Sequence, residues 1–321
     1  MVAMADDEHH LHIHSMRAAV ISIGTNSCRL LIATVGPGGQ FTPEYHESRG
    51  TRVGEGIAPG KPLEPVAAER TLAAVGDYAV LARHADKTFA IGTSALREAA
   101  DAGAFAAQVR DLTGAGLHVL GGDEEAQASY IGAHHGLLAA DVVANGALTV
   151  ADVGGGSAEI ARSDGEGTAI RTVSLPLGAV RLTERFLISD PPTSDEIGRC
   201  RAAIGLSLED LAAALRPGVP LAFVGGTAAT AVRMLQVEER NGVARIDAAA
   251  LGDLCRAVSA LSVAQRKKLH GLPAQRADII AAGLLVLGAI ADSARAHEFF
   301  AVQADLLTGY LLEHAVAATP G

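Results

Sequence analysis

The chain has 321 residues, 49% of them apolar and 19% charged, and a mean hydropathy of +0.25, which describes a globular protein long enough for two cores. A net charge of −10 and a pI near 5.6 exclude the basic surface that general nucleic-acid or anionic-membrane binding needs, so an anionic substrate requires a local basic site. Three widely spaced cysteines, Cys28, Cys200 and Cys255, make neither a disulfide framework nor a zinc motif and fit a reducing cytoplasm, while the longest apolar run, Ile279 to Ala291, is too short to span a bilayer.

Residues 1–16, which include His9, His10, His12 and His14, lack the basic and apolar regions of a signal peptide and read as a disordered tail without assigned function. From Arg17 on, AAVISIGTNSCRLLIATV gives two apolar β-rich runs around Gly24, Thr25, Asn26 and Ser27, a hairpin signature. A third run near Gln40 to His46, a Gly/Pro-rich stretch to Pro65 and helical periodicity over 66–84 complete a β-β-β-α order. A strand near Thr88 to Ile91 enters Gly92-Thr93-Ser94, whose hydroxyls are candidate caps for the helix carrying Arg97. Another helix and a strand at 117–120 precede Gly121-Gly122-Asp123-Glu124-Glu125, with Asp123 the expected N-cap of a helix to about Leu138. The strand at 148–153 then meets Gly154, Gly155, Gly156 and Ser157 and a second strand from Ala158, so the opening hairpin recurs in a second half. Helices follow near 178–187 and 194–215, then a strand at 221–224, Gly225-Gly226-Thr227 opening a helix, and mostly helix to Arg295. A last strand is expected at 299–302, with the final helix folded back onto the first half.

Three Gly/Ser/Thr turns therefore leave strand ends, at 24–27, 154–157 and 225–227. Glycine lets the backbone approach an anion and turns its N–H groups toward it, and hydroxyls add donors, so phosphate is the natural guest. One such turn is commonplace, whereas three on separate strands are not. None matches the GxxxxGK[ST] loop or a GxGxxG opening a long helix, and Glu159 stands where a nucleophile elbow around Ser157 would need glycine. Asp152 and Glu159 flank the second turn and are candidates to hold a divalent cation against phosphate oxygens. Glu124 and Glu125 open a helix, where they suit a general base and equally suit simple compensation of the helix dipole.

On these residues the chain resembles the exopolyphosphatase/guanosine pentaphosphate phosphatase (Ppx/GppA) family of the actin-like ATPase superfamily. The resemblance is carried in order by IGTNSCRLLIA at 23–33, GTSALREA at 92–99, GGDEEAQASYIG at 121–132, VADVGGGSAEI at 150–160, SLPLGAVRLTERF at 174–186, GGTAAT at 225–230 and RADIIAAGLLVL at 276–287. It implies an α/β fold of two RNase H-like domains with the active site in the cleft between them, domain I being 17–121 plus about 299–321 and domain II 122–298. It also implies that Glu125 is the general base, that Arg97 is the cationic residue, and that Asp152 and Glu159 are the Mg²⁺ (or Mn²⁺) positions. Phosphate would be bound by Gly24, Thr25, Asn26 and Ser27, by Gly154, Gly155, Gly156 and Ser157, and by Gly225, Gly226 and Thr227.

The implied activity is exopolyphosphatase, removing the terminal phosphate of inorganic polyphosphate, with guanosine pentaphosphate (pppGpp) as the alternative substrate, in a cytoplasmic homodimer that binds neither nucleic acid nor membrane. Arg29, Arg49, Arg52 and Arg181 are candidates for a basic track, or are ordinary ion-paired surface groups. In one departure, Ser22 stands where the family has Asp, and a hydroxyl gives a cation no anionic ligand, which motivates a competing reading as a catalytically weak polyphosphate-binding regulator. A second departure is the absence, before Gly321, of room for the helical C-terminal region of long members, which implies a preference for shorter chains or nucleotides. A small-molecule kinase on the same fold is a third reading, disfavoured by the paired glutamates and by GTSALREA.

Overall fold

The structure, a computed structural model, describes residues 15–315 apart from 57, 144, 145, 166, 210 and 212–214. The first strand, β1 (Met16–Ile23), is apolar at successive positions because both its faces are covered: Ala19, Ile21 and Ile23 enter one core, Ala18 and Val20 another. It lies at the centre of a five-stranded sheet, between β2 (Cys28–Val35) with β3 (Phe41–Arg49) on one side and β4 (Lys87–Gly92) with β5 (Leu117–Val119) on the other. The first three strands are antiparallel, and β4 and β5 join in parallel. Helices α1 (Pro65–Ala82) and α3 (Ala102–Thr113) cover one face through Val75, Tyr78, Phe105 and Val109, and the short α2 (Ser94–Glu98) follows β4 directly.

The second sheet repeats this plan. β6 (Leu148–Val153), β7 (Ala158–Ser163) and β8 (Arg171–Leu175) are antiparallel, and β9 (Leu221–Val224) and β12 (Glu298–Val302) join in parallel beside β6. Two further strands, β10 (Glu239–Arg240) and β11 (Val243–Asp247), extend its edge as a hairpin. One face is covered from the set α5 (Ala179–Phe186), α6 (Ser194–Glu209), α7 (Gly225–Leu235), α8 (Ala248–Ser259), α9 (Val263–Arg266) and α10 (Ile280–Ser293). The apolar run at 279–291 is largely buried in α10, and among the described residues no helix is long and apolar enough to cross a membrane.

The last helix of each repeat covers the other repeat's sheet. Helix α4 (Gly122–Ala139) follows β5 but packs Ala126, Tyr130, Ala133 and Leu137 on the second sheet. Helix α11 (Leu306–His314) follows β12 but packs Leu306, Leu307, Tyr310 and Leu311 on the first. The two helices cross in backbone contact: a Cβ on Gly309 would lie 1.8 Å from the Ala128 carbonyl oxygen, and one on Gly132 2.1 Å from that of Asp305. Only glycine fits at either position.

Several expectations are revised. The strand at 298–302, grouped in the sequence reading with the first domain, pairs with β9 and β11 of the second sheet, leaving α11 as the element that returns to the first. The stretch read as mostly helix to Arg295 contains the β10–β11 hairpin. Helix α6 is described over Ser194–Glu209, most of the remaining stretch expected as helix to 215 lying outside the described residues, and Met16, placed in the tail, already belongs to β1. The histidines of that tail lie outside the described residues. Gly121, not Asp123, is the N-cap of α4: its N–H donates to Glu124 Oε2 at 2.6 Å, while Asp123 accepts from Thr172 Oγ1 at 2.8 Å.

Candidate active site

The two hairpin turns have the same closure. Gly24 N–H donates to the Ser27 carbonyl at 3.0 Å, and Gly154 N–H donates to the Ser157 carbonyl at 3.0 Å. Each is braced from behind, the first by N–H groups of Arg52 and Gly54 donating to Asn26 and Thr25, the second by Ala179 and Val180 at the start of α5 donating to Gly154 and Gly155. The loops meet face to face: a Cβ on Gly155 would lie 3.0 Å from Asn26 N, and one on Gly156 2.7 Å from Thr25 Oγ1 and 2.6 Å from Ser94 Oγ. Between them lies a cavity of about 70 Å³, and every glycine, serine, threonine and asparagine proposed from the three turns lines it. Thr25 Oγ1 and both side-chain polar atoms of Asn26 are buried there without a hydrogen-bond partner, so donors and acceptors stand ready for a ligand.

The carboxylates enter the same cavity. Asp152 and Glu159 are directly opposed across β6 and β7, where like charges repel. Burial pushes the Asp152 carboxyl up to about 6, against the pull of Arg29, and burial raises Glu159 as well, with Asp152 adding to the effect. Ser129 Oγ donates to Asp152 at 3.3 Å and Ser174 Oγ to Glu159 at 2.7 Å. Gly225 admits Asp152: its φ of +80° suits glycine, and a Cβ there would lie 2.3 Å from Asp152 Oδ1. Two enclosed, mutually repelling carboxylates fit a divalent cation. Among the described residues no group of three or more His, Cys, Asp or Glu is placed to hold a metal ion.

The paired glutamates are divided between two tasks. Glu124 is exposed and caps α4, whereas Glu125 is buried, lines the cavity and is paired with Arg97 Nη1. Arg97 also donates to the Leu120 carbonyl at 2.8 Å, and its Nη2 stands 4.0 Å from Glu159 Oε1, so it reaches the site by holding acidic groups. The four arginines considered for a basic track all have carboxylate partners: Arg29 pairs with Asp305, Arg49 with Glu47 and Asp77, Arg52 with Asp278 and Arg181 with Glu98. Of these, only Arg29 lines the cavity; Arg52 and Arg181 pair across the two repeats and donate to the carbonyls of Asn26 and Gly156 in the turns. Sequence reasoning passed over Arg276, which lines the cavity with its Nη2 where a Cβ on Gly226 would be, and Asp305, the partner of Arg29. The first stood within the 276–287 motif, which was the available signal. The second had none.

The family model of the Ppx/GppA phosphatase family matches residues 31–305. The chain belongs to this family. It is 34% identical over 296 residues to Exopolyphosphatase 2 of Mycobacterium tuberculosis, an alignment covering 87% of this chain and 91% of that protein. It is 29% identical to Exopolyphosphatase 1 of Mycobacterium leprae, over 84% of this chain and 81% of the other. Among solved structures, the exopolyphosphatase of Cytophaga hutchinsonii superposes with a TM-score of 0.83 at 21% identity, covering 95% of this chain and 99% of the other. The Ppx/GppA enzyme of Aquifex aeolicus superposes with a TM-score of 0.77 at 24% identity, over 94% and 100% of the two chains. The duplicated sheets are thus those of the actin-like ATPase fold, and membership of the Ppx/GppA family makes the chain a phosphoanhydride hydrolase.

Proposed function

We propose that the chain is an exopolyphosphatase that releases orthophosphate from the end of inorganic polyphosphate. The observation that carries this reading is the convergence of three phosphate-type turns, Glu125, Asp152 and Glu159 on one cavity. Similarity to the M. tuberculosis exopolyphosphatase supports the choice of substrate. The turns hold and orient the terminal phosphoryl group, and Glu125, oriented by Arg97, aligns and deprotonates the attacking water. Asp152 and Glu159 would hold Mg²⁺ (or Mn²⁺), whose contribution there is neutralisation of charge on the phosphate oxygens. Phosphoryl transfer asks the protein mainly for alignment and charge stabilisation, and the cavity walls supply both.

The test is phosphate release from short polyphosphate, long polyphosphate, pppGpp and ATP with Mg²⁺, by wild type and Glu125→Ala. Release that is fastest on polyphosphate and lost in the variant supports the reading, and preference for pppGpp reassigns the substrate. The buried Ser22, across β1 and β2 from Arg29, favours a second reading as a polyphosphate-binding regulator, for which tight binding without release is the signature.

A further inference from the structure

We propose that Asp305 is a positioning residue that sets Arg29 in the phosphate cavity and ties it to the helix carrying Glu125. The proposal rests on the phosphate-binding reading above. Arg29 is enclosed at the cavity wall, where an uncompensated guanidinium is costly, and Asp305 is its ion-pair partner. The two oxygens of Asp305 are divided: Oδ2 takes Arg29, while Oδ1 accepts the Leu307 N–H at 3.0 Å as the N-cap of α11. The guanidinium, carried on β2, is thereby tied to the start of α11.

The start of α11 is in turn seated on α4. The Asp305 carbonyl lies where a Cβ of Gly132 would be, at 2.1 Å, and the Ala128 carbonyl lies where a Cβ of Gly309 would be, at 1.8 Å. Glu125 is on the same helix, three residues before Ala128. A continuous series of contacts thus runs from Arg29 through Asp305 and the helix crossing to Glu125, so the phosphate-facing cation and the candidate base keep one spacing. Arg29 and Asp305 are 276 positions apart in the chain, which makes the pair a link between sequence-distant parts of the two repeats.

Asp305→Asn tests this, because asparagine keeps the capping acceptor and the size but loses the charge. With short polyphosphate and Mg²⁺ we expect KM to rise about tenfold with kcat within about threefold of wild type, and thermal stability near wild type. In a cycle with Arg29→Gln, the double variant should be no worse than Arg29→Gln alone, since the partner of Asp305 is already gone. Full additivity, or an Asp305→Asn KM equal to wild type, overturns the proposal. The same cycle read as the Kd of tripolyphosphate by calorimetry separates the two levels. Binding without phosphate release defeats the hydrolase reading while the Kd cycle still judges Asp305, and no tripolyphosphate binding by wild type defeats both.

Discussion

Arg97 on α2 and Glu125 on α4 form an ion pair, and Arg97 holds the Leu120 carbonyl at 2.8 Å, just before α4 begins. The guanidinium thus fixes both the helix start and the carboxylate. If Glu125 is the base, Glu125→Gln should lower kcat by about 10³, within the usual range for a positioned acid or base. Arg97→Ala should lower it by about 10², and the double variant should be little slower than Glu125→Gln, because residues acting as a unit are not additive. Steady-state kinetics on the three variants reads this out; fully multiplicative losses would separate the two residues.

Asp152 has a folded-state pKa of about 6 against an ordinary 3.8, so the folded state holds its proton more tightly than the unfolded one. Its contribution to stability is present at pH below about 4 and is lost as pH rises through about 6, to a total of no more than about 3 kcal/mol. Metal-free protein should therefore melt at a lower temperature at pH 7 than at pH 5, and Asp152→Asn should flatten that slope. Thermal melts in chelator at the two pH values check it. Mg²⁺ should act in the opposite sense, stabilising most at the higher pH where the carboxylate is ionised.

Ser22 and Arg29 are directly opposed on β1 and β2, and both line the cavity. Ser22→Asp should lower the half-saturating Mg²⁺ concentration several-fold by adding an anionic group to the wall. A titration of rate against Mg²⁺ decides it, and an unchanged midpoint with an unchanged rate removes position 22 from the metal site.

Gly225 has a φ of +80°, and a Cβ there would lie 2.3 Å from Asp152 Oδ1. Gly225→Ala should cost about 2–4 kcal/mol through backbone strain and displacement of the carboxylate, and should weaken Mg²⁺ activation more than equally destabilising core variants. Denaturant melts paired with Mg²⁺ titration distinguish the two effects.

The sheets and the turns were legible because both signals are local. Alternate residues of β1 enter different cores, which forces a continuous apolar run, and the turns at 24–27 and 154–157 need glycine and hydroxyls within four positions. The β10–β11 hairpin was missed although Asn241 and Gly242, with φ of 51° and 74°, are the favoured pair for a tight hairpin turn. Its short polar strand, Glu239–Arg240, lacks apolar alternation, so periodicity alone passes over it. Within the site, a glutamate that caps and a glutamate that faces the cavity are identical in sequence, and the burial of Glu125 beside exposed Glu124 is set by how α4 lies on the second sheet. The partners of Arg29, Arg52 and Arg181 lie far away in the chain, beyond the reach of any local pattern.

The exchange of last helices bears on how this chain can be made. The strands at 16–35 are synthesised well before α11, at 306–314, yet one face of their sheet has its cover in that helix. During translation that face, with Ala18, Val20, Leu31 and Ala33, lacks its α11 cover until residues 306–314 have also left the ribosome. The first repeat expressed alone would present the same apolar surface to solvent, and cutting the gene between the repeats should yield two insoluble fragments that recover solubility when co-expressed.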